Sequence, residues 1–336
     1  MNLSSSTAEA WLSGLQQRLT GMHEGADPGP APFRVAVIGD LRLDVRTTVS
    51  VSLAAVEEDV YSLAPVRMHL AGTAVSMARA ATRHFEAVDA LVKTGDDPST
   101  DHILRTLENE PGVSWCIRQE RGMPNGYVVV LRDGTDSPGA GRRTLVASSP
   151  APLEELSVAD VEVFRGAIEA ADVLFVDGYP LLFPRSRHAV FHALAAASRA
   201  GTPVCFDVVP HDIEARLPSD LLHRVMARCQ VVMSSARTMA RLRNLPAPTS
   251  YELSHTRELA AGLAGFGANA PGVWILRFGD GDMEEAALCQ AGEVRCVYRT
   301  GYSECHDRTG FGDKVAAAEL AALLENGRTR SRRPAA

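Results

Sequence analysis

The chain lacks any Cys-x-x-Cys spacing among its six cysteines, at positions 116, 205, 229, 289, 296 and 305. That absence argues against a zinc site or a disulfide frame, and runs such as Val204-Cys205-Phe206 predict buried, reduced thiols. No apolar run approaches the ~20 residues of a membrane span, and the first residues have neither the basic nor the apolar region of a signal peptide. A cytoplasmic protein that makes no membrane contact is expected. Positive charge is in deficit: 34 Lys and Arg against 41 Asp and Glu leave a formal net charge of −7, which argues against a general nucleic-acid binder. The local exception, Arg328, Arg330, Arg332 and Arg333, reads as part of a solvated, disordered basic tail over residues 326–336. No Gly-x-Gly-x-x-Gly follows the first strand, which disfavours a dinucleotide dehydrogenase, and no Gly-x-Ser-x-Gly nucleophile elbow is present. His188 and His192 stand four apart on an expected helix without a nearby third ligand, so no metal site is assigned.

What is present is enough for one large α/β domain or two ordinary ones: 336 residues, 46% of them apolar. Ala8, Trp11, Leu12, Leu15 and Leu19 recur at helical spacing over 6–22, and a Gly/Pro/Ala linker follows from Gly25 to Pro32. Arg34 to Ile38 is a short apolar strand ending at Gly39-Asp40. Helix and strand patterns then alternate. Helices are expected over 74–85, 99–108, 157–170, 186–199 and 254–264, and strands over 88–92, 172–176, 203–206, 230–233 and 273–277. Buried strands alternating with helices predict a mostly parallel sheet covered on both faces, a three-layer α/β/α sandwich. Two stretches, near 45–70 and 113–146, break the pattern with β-rich runs such as Tyr127 to Leu131 and Thr144 to Ala147, and they read as a small β-strand lid. Asp133 to Arg143 is the expected flexible loop.

Near the C-terminus stands Asp307-Arg308-Thr309-Gly310-Phe311-Gly312-Asp313, running into a strongly helix-forming stretch. Glycines let backbone N–H groups approach an anion, and a helix N-terminus adds a favourable dipole. Asp313 in the first turn is placed to take a proton from a hydroxyl while those amides hold the group being transferred. An ordinary glycine turn with Asp313 as helix cap fits the same residues. Gly39-Asp40-Leu41-Arg42-Leu43-Asp44 puts two carboxylates after the first core strand, where open α/β sheets bind ligands; a turn carboxylate satisfied by backbone amides is the alternative.

Thr309-Gly310-Phe311-Gly312-Asp313 resembles the Thr-Gly-Ala-Gly-Asp signature of the ribokinase-like (PfkB) carbohydrate kinases, and Asp307 with Thr309 fits the longer family pattern. Arg308, Phe311 and Lys314 depart from it. The resemblance covers about residues 33–325, with residues 1–32 a preceding helix and linker. It implies an ATP-dependent kinase, aided by Mg²⁺, for a hydroxyl of a sugar or nucleoside. Asp313 would be the base, and Gly310, Phe311 and Gly312 the anion hole. The Gly-Asp-x-x-x-Asp strand end resembles the family's, whose second acid grips the sugar, which makes Asp44 a substrate ligand. Leu70-Ala71-Gly72-Thr73-Ala74-Val75-Ser76 resembles its Gly-Gly-x-x-x-Asn helix start, which adds Gly72, Thr73 and Ser76, with Ala71 and Ser76 as departures. Pro124-Asn125-Gly126 resembles its Pro-Thr-Gly entry to a lid strand, and Asp207 is retained from its Asp-Pro-Asn.

On the nucleotide side the resemblance implies Asp307, Thr309, Ser235 and the Gly279/Gly281 turn. Ser235 and Thr238 replace the family's Asn and Glu, and no protein ligand to the metal is assigned. The acids at 280, 282 and 284 are not followed by a full calcium loop. The helix before the first strand is similar to that of the heptose-phosphate kinase branch. The sequence stops soon after the signature helix, where relatives usually continue into a helix that walls the adenine pocket. A homodimer through the lid is a further expectation from the family.

Overall fold

The computed structural model describes residues 5–24, 29–49, 61, 63–133, 143–246, 251–266, 271–304 and 310–331. A long helix, α1 (Ser5–Glu24), precedes the first strand, β1 (Ala31–Ile38). β1 is buried at each of its last four positions and pairs in parallel with β4 (Phe85–Thr94) and β8 (Val173–Asp177). A strand hydrogen-bonded on both edges and covered on both faces is apolar at consecutive positions, which is why this run reads without alternation. β5 (Val113–Gln119) continues the sheet beyond β4. On the other side follow β9 (Val204–Asp207), β10 (Val231–Ser235) and β11 (Val273–Phe278), all parallel. An antiparallel hairpin, β12 (Glu285–Gln290) and β13 (Glu293–Arg299), completes the nine-stranded order β13-β12-β11-β10-β9-β8-β1-β4-β5.

Side chains alternate across this sheet into two cores. Val35 and Val37 join α1, α2 (Thr73–Ala81), α3 (Thr100–Glu108) and α9 (Phe311–Ser331) on one face. Ala36 and Ile38 join α4 (Val158–Ala170), α5 (Pro184–Ala200), α6 (Ser219–Met226), α7 (Ala236–Leu242) and α8 (Leu253–Leu263) on the other. The result is the three-layer α/β/α sandwich. α1 belongs to the first core: Trp11 meets the Tyr298 ring of β13 edge-on at 5.3 Å, and Arg18 pairs with Glu325 of α9 at 2.6 Å. A smaller sheet, in the order β3-β2-β6-β7, forms the lid from β2 (Arg42–Val49), β3 (Arg67–Ala71), β6 (Tyr127–Asp133) and β7 (Arg143–Ala147).

Several boundaries differ from the expectations. Residues 113–119 are not lid; they form β5, the parallel edge strand of the large sheet, because an alternating run does not say which sheet it joins. The helix expected over 74–85 ends at Ala81, where Thr82 turns its hydroxyl onto Arg79 O and Phe85 begins β4. The tail expected to be disordered from 326 continues α9 as far as Ser331; residues 332–336 and most of the loop 133–143 lie outside the described residues. α6, α7 and the β12–β13 hairpin had no counterpart in the sequence reading. The two helices are too short to show a period, and the hairpin turns at Ala291 (φ 52°) and Gly292 (φ 81°), with alanine in a left-handed position that its type does not signal.

The five described cysteines are free; burial pushes the thiols of Cys229 and Cys289 up to about 12, while Cys305 lies outside the described residues. Among the described residues no helix is long and apolar enough to cross a membrane.

Candidate active site

The carboxyl ends of β1, β8 and β9 lead to three acids: Asp40 just beyond β1, and Asp177 and Asp207 as the last residues of β8 and β9. Acids collect there because strand ends are where the backbone leaves its ladder and side chains face a crevice. Asp313, in the first turn of α9, stands within electrostatic reach of Asp207 and Asp177. Gly310 opens that turn with φ 59°, a left-handed conformation that suits glycine, and its carbonyl accepts the Lys314 N–H at 3.0 Å. A Cβ on Gly310 would lie 3.1 Å from Ser76 and 3.5 Å from Asp313 Oδ2, so α2, the glycine turn and the acid converge. Phe311 points into the core, edge-on to Tyr302 at 5.2 Å. Gly312 faces the other way: a Cβ there would lie 3.9 Å from Arg277 Nη1.

The surroundings of Asp313 strip water from its carboxyl, and the charges of Asp207 and Asp177 add to this; together they hold its pKa well above the ordinary range against the opposing pull of Arg277. Asp177 is raised too, by burial and then by Asp40, although its carboxylate accepts N–H bonds from Tyr179 (2.9 Å) and Asp40 (3.2 Å). Gly39 is required beside it, since a Cβ there would come within 1.9 Å of Asp177 Oδ2. Asp40 takes a 2.6 Å bond from Arg42 Nε on one oxygen, while its Oδ1 is buried with no partner.

The sequence-derived candidates fall into three groups. Gly310, Gly312, Asp313 and Ser76 come together, with Phe311 as the inward anchor of the turn. Gly72 serves packing at the start of α2: it has φ 103°, and a Cβ would lie 2.3 Å from Asp40 O. The Ala74 N–H is spent on that same Asp40 O at 3.2 Å; Thr73, the first residue of α2, is half-buried. Asp44 lies in lid strand β2, where Arg46 Nε donates to it at 3.1 Å, so a substrate would have to share it with that arginine. The Ser235 hydroxyl is occupied as the cap of α7: it accepts the Thr238 N–H at 3.0 Å and donates to Thr238 Oγ1, which in turn donates to His211 O. Asn125 is a structural pin whose side chain ties Gly95 N–H to Asp97, Ser99 and Thr100.

Gly279 and Gly281 form a tight turn with φ 80° and 58°, and a Cβ on Gly281 would press on the Tyr302 ring at 2.7 Å. Through Tyr302 and Phe311 that turn is packed against the start of α9. Asp282 is taken by Arg237 at 2.7 Å, and Glu284 by Arg299 and Ser303. Asp307 and Thr309 lie outside the described residues.

Sequence reasoning missed Asp177 and Arg277. The first carried a signal, an acid closing the apolar run Val173 to Val176 as Asp40 closes β1. Arg277 interrupts the buried strand β11. Its Nη2 donates to Glu319 of α9 at 2.9 Å, and Tyr298 OH donates to the other Glu319 oxygen at 2.6 Å. A protein-held Mg²⁺ does not fit these donors. The hydroxyls of Ser235 and Thr238 are already paired, and among the described residues no group of three or more His, Cys, Asp or Glu could hold a metal.

The model of the pfkB family carbohydrate kinases matches residues 33–331. Ribokinase from Giardia lamblia superposes with a TM-score of 0.67 at 13% identity, over 89% of this chain and 87% of its own. Arabidopsis thaliana ribokinase complexed with ribose and ATP gives 0.62 at 16%, over 88% and 87%. Adenosine kinase from Sinorhizobium meliloti gives 0.60 at 16%, over 88% and 94%. No curated protein matches the chain. The fold is ribokinase-like, and the chain belongs to the pfkB family of carbohydrate kinases.

Proposed function

We propose that the protein transfers the terminal phosphoryl group of ATP to a hydroxyl of a sugar or sugar-like small molecule. The acceptor oxygen attacks the γ-phosphorus as its proton passes to Asp313, and the bond from that phosphorus to the bridging oxygen of ADP breaks. The amides of Gly310, Phe311 and Gly312 hold the charge that develops on the transferred oxygens. Positioning and electrostatics do most of the work in such a transfer, so few protein groups are required. The observation that carries this reading is the pKa of Asp313, raised by loss of water and by two neighbouring acids, at a left-handed glycine turn that opens a helix. A base works best when its pKa lies near the working pH, and this carboxyl is displaced in that direction. The family supports a carbohydrate acceptor, and the printed name of the adenosine kinase neighbour supports a nucleoside as the alternative.

Mg²⁺ would arrive on the phosphates of ATP, where it neutralises their charge; no step above is assigned to a protein ligand of that ion. Ser76, beside Gly310, and Asp44 in the lid are the acceptor-side contacts. The lid turns Met68, Val129 and Val146 outward in register across Val45, and a homodimer through that face is part of the proposal, to be read from light scattering.

The hydroxyl-capped Ser235 and Thr238 favour one rival, a ligand-binding protein without turnover. ATP consumption across a panel of sugars and nucleosides separates the two when wild type is compared with Asp313→Asn and ATP binding is measured in parallel. The kinase reading expects turnover with at least one acceptor and a fall of about 10²–10⁴-fold in the variant with ATP binding kept. Equal background rates in both proteins over the whole panel would count against it.

A further inference from the structure

We propose that Arg277 is a built-in phosphate-binding cation whose Nη1 donates to an oxygen of the phosphoryl group held beside Gly312. This rests on the phosphoryl-transfer reading and names a group that takes on the charge-neutralising role left open at Ser235 and Thr238.

Every residue of β11 is buried, and an arginine in such a strand is costly unless each of its donors has a purpose. One side of the guanidinium is fixed. Nη2 is bonded to Glu319, which is itself fully buried and held by Tyr298. Among the described residues Nη1 makes no hydrogen bond: its ion-pair partner Asp207 stands 3.9 Å away, beyond hydrogen-bond distance, and Nε is buried without a partner. Nη1 faces the glycine turn, 3.9 Å from where a Cβ on Gly312 would be. A guanidinium held through Nη2 keeps Nη1 at a fixed place, and one charge-assisted N–H from it suits a phosphate oxygen. The other neighbour of position 312 is the flexible end of Met283, with Cε 3.6 Å from where the Cβ would be.

The surrounding carboxyls support this assignment. Asp207 and Asp313 are both displaced toward their protonated forms, Asp207 by burial against the pull of Arg277 and His211. This weakens the negative charge that an arriving anion would meet, while Glu319 holds the guanidinium in place. A purely structural Arg277–Glu319 pair would stabilise the fold and have no effect on anions.

The experiment measures binding of inorganic tripolyphosphate, ATP and AMP to wild type, Arg277→Lys and Arg277→Met. Arg277→Met leaves Glu319 buried and unpaired, so the double variant Arg277→Met/Glu319→Met, which removes both charges together, is made alongside it to keep a folded protein. Loss of one charge-assisted contact predicts that affinity for tripolyphosphate, and the preference for ATP over AMP, fall by about 10–100-fold in the methionine variants and recover in part with lysine. Unchanged tripolyphosphate binding and ATP preference in the folded double variant would overturn the assignment and leave the kinase reading standing. Tripolyphosphate binding that depends on Arg277, in a protein that consumes ATP with no acceptor, would keep the anion site and remove the kinase. Wild type that binds neither ATP nor tripolyphosphate would remove both.

Discussion

Gly310 and Ser76 face each other so closely that a Cβ on the glycine would sit 3.1 Å from both the Cβ and the Oγ of the serine. The turn that opens α9 and the first turns of α2 are therefore fitted to one another, and a methyl group there would have to push Ser76 aside by a few tenths of an ångström. Gly310→Ala meets two penalties: that contact, and a φ of 59° which costs an L-residue roughly 1–2 kcal/mol. Denaturant midpoints are expected to show a loss of that order. ATP turnover is expected to fall further than stability accounts for, because the amides of 310–312 move with the turn. Adding Ser76→Gly relieves the contact but not the backbone strain, so it restores stability little, and turnover does not recover because an acceptor-side hydroxyl is lost with it. Full activity in Gly310→Ala would remove the anion-hole role from this turn.

The pH dependence of activity follows from the sign of the shift at Asp313. An ordinary aspartate titrates near about 4, and Asp313 is held above that by desolvation, then by Asp207 and Asp177, with Arg277 opposing. A base acts only when deprotonated, so the acidic limb of kcat/KM is expected well above about 4, with activity rising as pH increases through it. Asp207→Asn removes a like charge and moves the limb down. Arg277→Met removes the opposing charge and moves it up. A limb near about 4 that neither substitution moves would sink the assignment of Asp313 as base.

The same shift has a cost in stability. A carboxyl whose pKa is higher folded than unfolded contributes stability that is present below about 4, where both states hold the proton, and is lost as pH rises toward the folded value. Asp313→Asn carries no such penalty. It is expected to be more stable than wild type at neutral pH, with an advantage that grows upward from about pH 4 and vanishes below it. Thermal melts of the two proteins from acid to neutral pH check this; a constant offset at all pH values would mean that packing, not titration, separates them.

The same physics explains which parts of the site were legible in the sequence. β1, β8, β9 and β11 read as strands because burial on both faces demands uninterrupted apolar residues, and Asp40 and Asp313 stood out because an acid after a strand or within a glycine turn has few structural duties. Arg277 did not, since its anchor Glu319 is 42 positions away and the pair leaves no local pattern. Ser235 was ambiguous for a different reason. The same hydroxyl can serve as a phosphate-side donor or as a helix cap, and only the structure shows its bond from the Thr238 N–H three residues on. The partner of Val113 to Gln119 was equally silent, because alternation names a buried face and not a neighbouring strand.

α1 links the N-terminal segment to Arg277, the residue proposed to bind phosphate. Trp11 is fully buried against Tyr298, Tyr298 bonds Glu319, and Glu319 anchors Arg277. Truncation by Trp11→Ala leaves a large cavity in that stack and is expected to cost about 3–5 kcal/mol in urea unfolding. Trp11→Phe is a different case. It loses part of the ring's packing, but it also removes an indole N–H that is buried without a partner. An unsatisfied buried donor costs about 1–3 kcal/mol, which offsets much of the lost contact, so Trp11→Phe is expected within about 1 kcal/mol of wild type. Equal losses from the alanine and phenylalanine variants would mean that the N–H has a role in the fold, and that the edge contact with Tyr298 is not what α1 contributes.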